Sequence, residues 1–377
     1  MTADELRTKF HGTFGHGAEV HASAPGRVNI IGEHTDYSDG WVLPFAIDFR
    51  TDVLIGRRTD SDVVVVSAQR PGQVERYNSA NLVPANTWSD YVAGVVFALG
   101  ISTGVSVLVD GNVPNGAGLS SSAALECATA LALNELFQLG LNRTELALAA
   151  QKAENQFVGM PCGIMDQSVS LLAANQHALL LDTRTMQTTQ IPFDLDSRGL
   201  ALLVIDTRAH HALVDGGYAT RRASIERVAA ALGVKALRDT SLDVLESRRG
   251  EFEEDDFRRA RHVVTENNRV HEAVAALEQD DYSTLGTLIN LSHDSLRDDL
   301  TVSCPESDVA AAAAQAAGAL GARMIGGGFG GSVIALVAKS QLVAVRQSVQ
   351  DAFAASGFES PRFFVATPAP GATSEFL

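Results

Sequence analysis

Lysine is almost missing from this chain: of 377 residues only Lys9, Lys152, Lys235 and Lys339 carry an ammonium side chain. No G-x-x-x-x-G-K-[ST] occurs, which excludes the P-loop manner of gripping phosphates. Lysine and arginine together number 29 against 45 acidic residues, giving a formal net charge of −16 with no basic run. A field of that sign repels phosphate backbones and anionic membranes, so no nucleic acid and no membrane is expected as a partner. Cysteine is sparse as well. Cys127, Cys162 and Cys304 have neither metal-ligand spacing nor the even count of a disulfide framework. Long apolar runs are also missing. A membrane-spanning helix needs about 18 apolar residues, and the alanine-rich stretch after Val309 is broken by Gln315, glycines and Arg323. The polar, charged start (MTADELRTKFHG) is unlike a signal peptide, so a cytoplasmic location is the default expectation.

What is present organises the chain into two parts. At roughly 100–200 residues per domain, this length predicts two domains. β-branched runs at 53–55, 63–67 and 105–109 read as strands, the last followed by the turn signal Asp110-Gly111-Asn112. A glycine- and serine-rich loop then leads into a helix expected over 123–139, and a second helix is expected over 143–157 with Asn142 or Thr144 near its cap. Short buried strands follow at 178–181 and 200–205. Polar residues at 183–190 and Pro192 mark a boundary near 190–200, dividing 1–195 from 196–377. Helical spacing predominates in the second part (218–232, 255–277 and 309–320) before a strand at 332–338 and a tail from Thr367 that reads as loosely structured. Without strict β-α alternation, the order is α+β in two domains.

Four segments carry chemistry. In residues 114–123 (PNGAGLSSSA), two glycines let backbone approach a bulky anion, and serines lead into a helix start whose free N–H groups attract phosphate. The same pattern also fits a plain serine cap after a flexible loop. Residues 326–331 (GGGFGG) match G-x-G-x-x-G formally. They lie between a helical segment and a strand, however, the reverse of the order a dinucleotide fold needs. Asp166 follows Gly and Pro punctuation inside apolar sequence; it is either a helix-capping carboxylate or one that is paired and used. Glu154, twelve residues earlier beside Lys152, reads by itself as a solvated helix carboxylate. Residues 26–37 (GRVNIIGEHTDY) gather Arg27, Glu33, His34 and Asp36 around an apolar Ile30-Ile31. Carboxylates and imidazole suit a polyol, and arginine suits a phosphate or carboxylate. A metal at Glu33, His34 and Asp36 is less well supported, since no second histidine falls at ligand spacing.

In this order the segments resemble the superfamily of galactokinase, homoserine, mevalonate and phosphomevalonate kinases. Residues 114–124 resemble its nucleotide motif and 326–331 its third motif. Residues 26–37 resemble the galactokinase signature, and 153–167 (AENQFVGMPCGIMDQ), 217–222 and 292–308 are similar to galactokinase segments. The resemblance implies a two-domain α+β small-molecule kinase fold with the active site in the cleft between domains. It also implies transfer of the γ-phosphoryl of ATP to the C1 hydroxyl of galactose, the entry step of galactose metabolism, with ATP and Mg²⁺ required. By resemblance Asp166 takes the catalytic position and Arg27 faces it. Glu33, His34, Asp36, Gly163 and Tyr218 match the sugar contacts. Pro114, Gly116, Gly118, Leu119, Ser120, Ser121, Ser122 and Ala123 match the nucleotide loop, Trp88 the aromatic beside adenine, and Ser122 with Glu154 the Mg²⁺ ligands. The position eight residues before Tyr218 is often basic in relatives but is His210 here, which turns attention to Arg208 as a second cation. The implied state is a monomer or a weak homo-oligomer. A kinase for N-acetylgalactosamine and a non-catalytic sugar sensor on the same fold are the rival readings; the intact serine loop and Asp166 weigh against the sensor.

Overall fold

Alternation along the β-branched strands feeds two helical layers. Leu54, Val66 and Leu108 pack with Leu6 and Phe10 of the helix Ala3–Phe14 on one face of the first sheet. Val53, Ile55, Val65 and Val107 pack on the other face with Leu125, Ala128 and Leu131 of the helix Ser121–Phe137. Such a split follows from the two-residue period of a strand. In this computed structural model, which describes residues 1–209 and 214–377, the sheet has six strands. Their order is Thr373–Phe376, Val20–Asn29, Pro44–Arg57, Val105–Gly111, Asp62–Ser67 and Glu75–Asn78. Neighbours are antiparallel except Asp62–Ser67, which runs parallel to Val105–Gly111.

A second, antiparallel sheet is built in the order Gly321–Ile325, Ser332–Ala338, Leu200–Asp206 and Arg362–Ala366. Trp41–Val42, His177–Asp182 and Thr188–Pro192 form a small third sheet. The long helices Val214–Leu232, Glu254–Glu278 and Tyr282–Asp298 accompany the second sheet. One apolar cluster joins both parts of the chain: Val28, Ile30, Ile31 and Phe45 pack with Leu202, Val270, Ile325 and Ile334. The α+β class read from the element order is the class observed.

Three local differences from the sequence reading have physical causes. The segment expected as one helix over 143–157 is an α-helix, Arg143–Lys152, continued by a π-helical turn, Ala153–Val158. The capping box at Asn142 is present, but the widened turn that carries Glu154 has no signature in hydrophobic spacing. The helix expected over 309–320 is Pro305–Ala316, because Pro305 starts it and Gly318, at positive φ, lies beyond its end. The tail is not loose throughout. Thr373–Phe376 pairs with the open edge of Val20–Asn29, while Arg50 and Arg143 donate to the carbonyls of Pro370, Gly371 and Ala372.

Candidate active site

The strand Val20–Asn29 shifts register between Pro25 and Arg27, and this irregularity sets up the site. Gly26 lies at the shift, where a Cβ would come within 2.5 Å of the Leu119 carbonyl. Only glycine lets the loop before the helix Ser121–Phe137 lie against this strand, and the Arg27 amide donates to Leu119 O at 3.1 Å. The Arg27 side chain is then held by three bonds. Its Nε and one terminal nitrogen reach the two oxygens of Asp166, each at 2.8 Å, and the other nitrogen donates to Gly118 O at 2.5 Å. Burial pulls the arginine pKa down, but Asp166 and Glu33 more than offset this and leave it raised.

Asp166 occupies the first turn of the helix Met165–Leu172, where free backbone N–H groups favour a carboxylate. It does not act as a cap: the carboxylate accepts from Arg27 and, at 2.5 Å, from the Ser120 hydroxyl. Ser120 adopts φ 61°, and its hydroxyl makes no cap bond to the helix it precedes. The serine loop therefore does more than terminate a helix, since one of its hydroxyls is committed to Asp166.

Arg27, Glu33, His34, Asp36, Gly163, Asp166 and Tyr218 all line one cavity of about 410 Å³, closed on another side by Gly326, Gly327, Gly328 and Phe329. Glu33 is fixed from the second sheet: its carboxylate accepts from the Gly326 amide at 2.7 Å and from Asn29 at 3.0 Å, with the Arg323 guanidinium 3.5 Å away. Any ligand hydroxyl meeting Glu33 joins a carboxylate that is already oriented. The Asp36 carboxylate receives a long bond from the Met165 amide and lies so close to Gly163 that a Cβ there would overlap it. Burial, then the Asp166 charge, push Asp36 up to about 7. Near neutral pH it can therefore both donate to and accept from a hydroxyl. Burial, with His262 nearby, holds the His34 imidazole neutral at about 3. His34, Tyr37 and Tyr218 form a cluster of three rings, with centroids 4.8 to 5.7 Å apart.

Beside Asp166 lies a second acidic pocket. Glu154 Oε2 accepts from Gln167 at 2.7 Å and from the Cys162 thiol at 3.3 Å, and Gln167 also donates to Glu126 at 3.2 Å. Burial, then Glu154, raises Glu126 well above the carboxylate range; burial, then Asp166, raises Glu154, and the Cys162 thiol and then the Ser122 hydroxyl draw it partly back. Surplus negative charge and hard oxygen donors at Ser122 and Glu154 suit Mg²⁺. Among the described residues no group of three or more His, Cys, Asp or Glu could hold an ion alone. Mg²⁺ keeps waters and phosphate oxygens and commonly takes only one or two protein ligands.

The remaining predicted residues stand apart from the cavity wall. Pro114, Gly116, Gly118 and Leu119 belong to the loop preceding the helix that begins at Ser121 with Ser122 and Ala123, and Gly116 and Gly118 have positive φ. Trp88 packs against the first core with its indole N–H unpartnered among the described residues, and the Arg70 guanidinium sits 6.0 Å from its ring. Arg208 is paired with Glu359, and His210 lies outside the described residues. Sequence reading missed the support behind Glu33 and its neighbours in the segment 26–37. Fully buried Arg323 donates to the carbonyls of Asn29 and Ile30, Glu266 accepts from the Gly32 amide at 2.8 Å, and His262 Nε2 meets Glu33 O at 3.0 Å. An arginine inside the apolar run Gly321–Ile325 was the one visible signal for this layer.

Comparison with known proteins bears on the same segments. Family models described as galactokinase galactose-binding signature, GHMP kinases N terminal domain and GHMP kinases C terminal match residues 8–57, 90–174 and 273–355. The galactokinase of Streptomyces coelicolor (strain ATCC BAA-471 / A3(2) / M145) is 48% identical over 379 residues, covering 98% of this chain and 98% of that one. The solved structure of Lactococcus lactis galactokinase complexed with galactose is similar with a TM-score of 0.92 at 35% identity, over 98% of this chain and 99% of that one. Methanococcus jannaschii mevalonate kinase, at TM-score 0.65 and 17% identity over 94% of this chain and 99% of its own, shares the fold.

Proposed function

The chain belongs to the galactokinase family within the GHMP kinases, and we propose that Asp166 and Arg27 carry its chemistry. The reaction is transfer of the γ-phosphoryl of ATP to the C1 hydroxyl of α-D-galactose, giving galactose 1-phosphate and ADP. The observation that carries the assignment of roles is the two-pronged Arg27–Asp166 contact at the wall of the cavity, braced by Ser120. A carboxylate held by three bonds can orient the C1 hydroxyl toward the phosphorus with little freedom lost at the moment of reaction. As a weak base it accepts that proton late, once phosphoryl transfer is under way. Arg27 compensates charge spreading over the phosphoryl oxygens.

Glu33, His34, Asp36, Gly163 and Tyr218 hold the sugar, and their mix of acceptors and donors matches a ring of hydroxyls. The loop residues Pro114, Gly116, Gly118, Leu119, Ser120, Ser121, Ser122 and Ala123 cradle the ATP phosphates through backbone N–H groups, and Trp88 flanks adenine. Ser122 and Glu154 would hold Mg²⁺, which supplies neutralisation of charge on the phosphates. We further propose that residues 1–195 and 196–377 form the two domains, with the strand Thr373–Phe376 returning to the first. The proposed setting is a cytoplasmic monomer or weak homo-oligomer.

The test is ADP release across galactose, N-acetylgalactosamine, glucose, homoserine and mevalonate, with the phosphate position in the product read by NMR. Turnover of galactose with phosphate on C1 is expected. Phosphate appearing only on C6, or turnover only of the amino sugar, would overturn the substrate assignment.

A further inference from the structure

Tyr37 stands behind the cavity wall, against the rings of His34 and Tyr218, and the roles above leave it unused. Its hydroxyl makes a 3.0 Å hydrogen bond with His34 Nδ1, and no other partner is found for it among the described residues. His34 is 4% exposed and lines the cavity, while its second ring nitrogen, Nε2, is buried without a hydrogen bond of good geometry among the described residues. We infer that Tyr37 is a positioning and specificity residue: its hydroxyl donates to His34 Nδ1 and so fixes the N–H on Nε2, which donates to one hydroxyl oxygen of the sugar. This rests on His34 being a sugar contact.

The geometry constrains the alternatives. A neutral imidazole has one N–H, and the partner of one nitrogen decides the role of the other. His34 is held neutral by burial, and the Gly327 backbone carbonyl lies close enough to favour a donor on the ring. With Nδ1 taken by the phenol, that donor is Nε2; its contact with Gly327 falls short of hydrogen-bond geometry, so the N–H is left for a sugar hydroxyl to take. The ring itself has little freedom. Tyr37 lies edge-on to His34 at 5.7 Å and to Tyr218 at 4.8 Å, and His34 stands at φ 61°. Without the phenol, Nδ1 would have no donor and only the Gly327 backbone would bias the ring toward an Nε2 proton, so the donor toward the sugar would be present less of the time.

The experiment uses the full chain with Tyr37→Phe, His34→Ala and the double variant, assayed with galactose and its monodeoxy analogues. Loss of one neutral hydrogen bond corresponds to about a three- to tenfold change, and it should appear in KM for galactose with kcat and KM for ATP held within about twofold. Tyr37→Phe and His34→Ala should lose discrimination at the same single hydroxyl. Tyr37→Phe should add less than about twofold in the His34→Ala background, as expected for residues acting in series. If His34→Ala weakens galactose but Tyr37→Phe does not, or if the two effects multiply, the positioning role is overturned and the sugar site stands. An unchanged galactose KM in His34→Ala would overturn both. Imidazole ¹⁵N shifts of the unsubstituted protein give a check that needs no variant to fold. Protonation at Nε2 is expected, and protonation at Nδ1 contradicts the inference.

Discussion

Replacing Arg27 with methionine separates what this side chain does for the fold from what it does for the reaction. The change deletes two 2.8 Å bonds to Asp166 and the 2.5 Å bond to the Gly118 carbonyl. Removing one member of a fully buried ion pair costs about 3–5 kcal/mol. The Arg27 side chain is only 6% exposed, but that of Asp166 is 27% exposed. Asp166 also keeps its bond from Ser120. Water and the serine therefore recover part of the loss, and the expected cost is about 1–3 kcal/mol. For a chain of this length that corresponds to about 1–4 °C in Tm. If Arg27 faces the transferred phosphoryl as proposed, the kinetic effect is much larger, because such a cation contributes on the order of 10³ or more to kcat. Thermal unfolding, calorimetric titration with galactose and steady-state ADP release measure the three quantities on one preparation. Near-parental Tm, measurable galactose binding and a kcat down by about 10³ are expected. Arg27→Lys should fall between, since an ammonium cannot make the two-pronged contact. A folded Arg27→Met protein with kcat within tenfold of the parent would refute the assigned role.

Two further perturbations address other parts of the structure. Gly163→Ala places a methyl group on the Asp36 carboxylate; KM for galactose should rise about tenfold or more, with Tm nearly unchanged, because the carboxylate can swing into the cavity. An unchanged galactose KM would show that Asp36 is not a sugar contact. His21 is wedged between Asp52 at 2.9 Å and Glu375 at 3.2 Å, and these bonds, Asp52 first, raise its pKa above 6.5 against the opposing effect of burial. A raised histidine pKa stabilises the fold below the unfolded value and loses that contribution as pH rises through the folded value. Denaturant unfolding from pH 6 to 9 should therefore show about 0.5–1 kcal/mol of stability lost in the parent and not in His21→Gln. Parallel curves would remove His21 from the clamp on the C-terminal strand.

How much of this was legible in the sequence depended on the range of the interaction. Local signals read well. β-branched runs gave the strands, Asn142 or Thr144 gave a helix start, and glycine and serine at 114–123 marked a loop fit either to approach an anion or to cap the helix after it. Residues 26–37 displayed their polar types in one stretch, and the structure brings Arg27, Glu33, His34 and Asp36 to one cavity with Asp166. What sequence reading lacked was pairing across long separations. Nothing local says that Ser120 turns away from its own helix to bond Asp166, or that Glu33 is held by the Gly326 amide from the second sheet. Glu126 looks like any helical glutamate until packing places it against Gln167 and Glu154. The strand Thr373–Phe376 is too short to show a period, and it forms because the first strand has an open edge.

The most direct test of the central claim is turnover and binding of Asp166→Ala measured side by side. If Asp166 orients the C1 hydroxyl for phosphoryl transfer, ADP release with galactose should fall to background while galactose and ATP still bind measurably in calorimetric titrations. Full turnover in that variant would contradict the account.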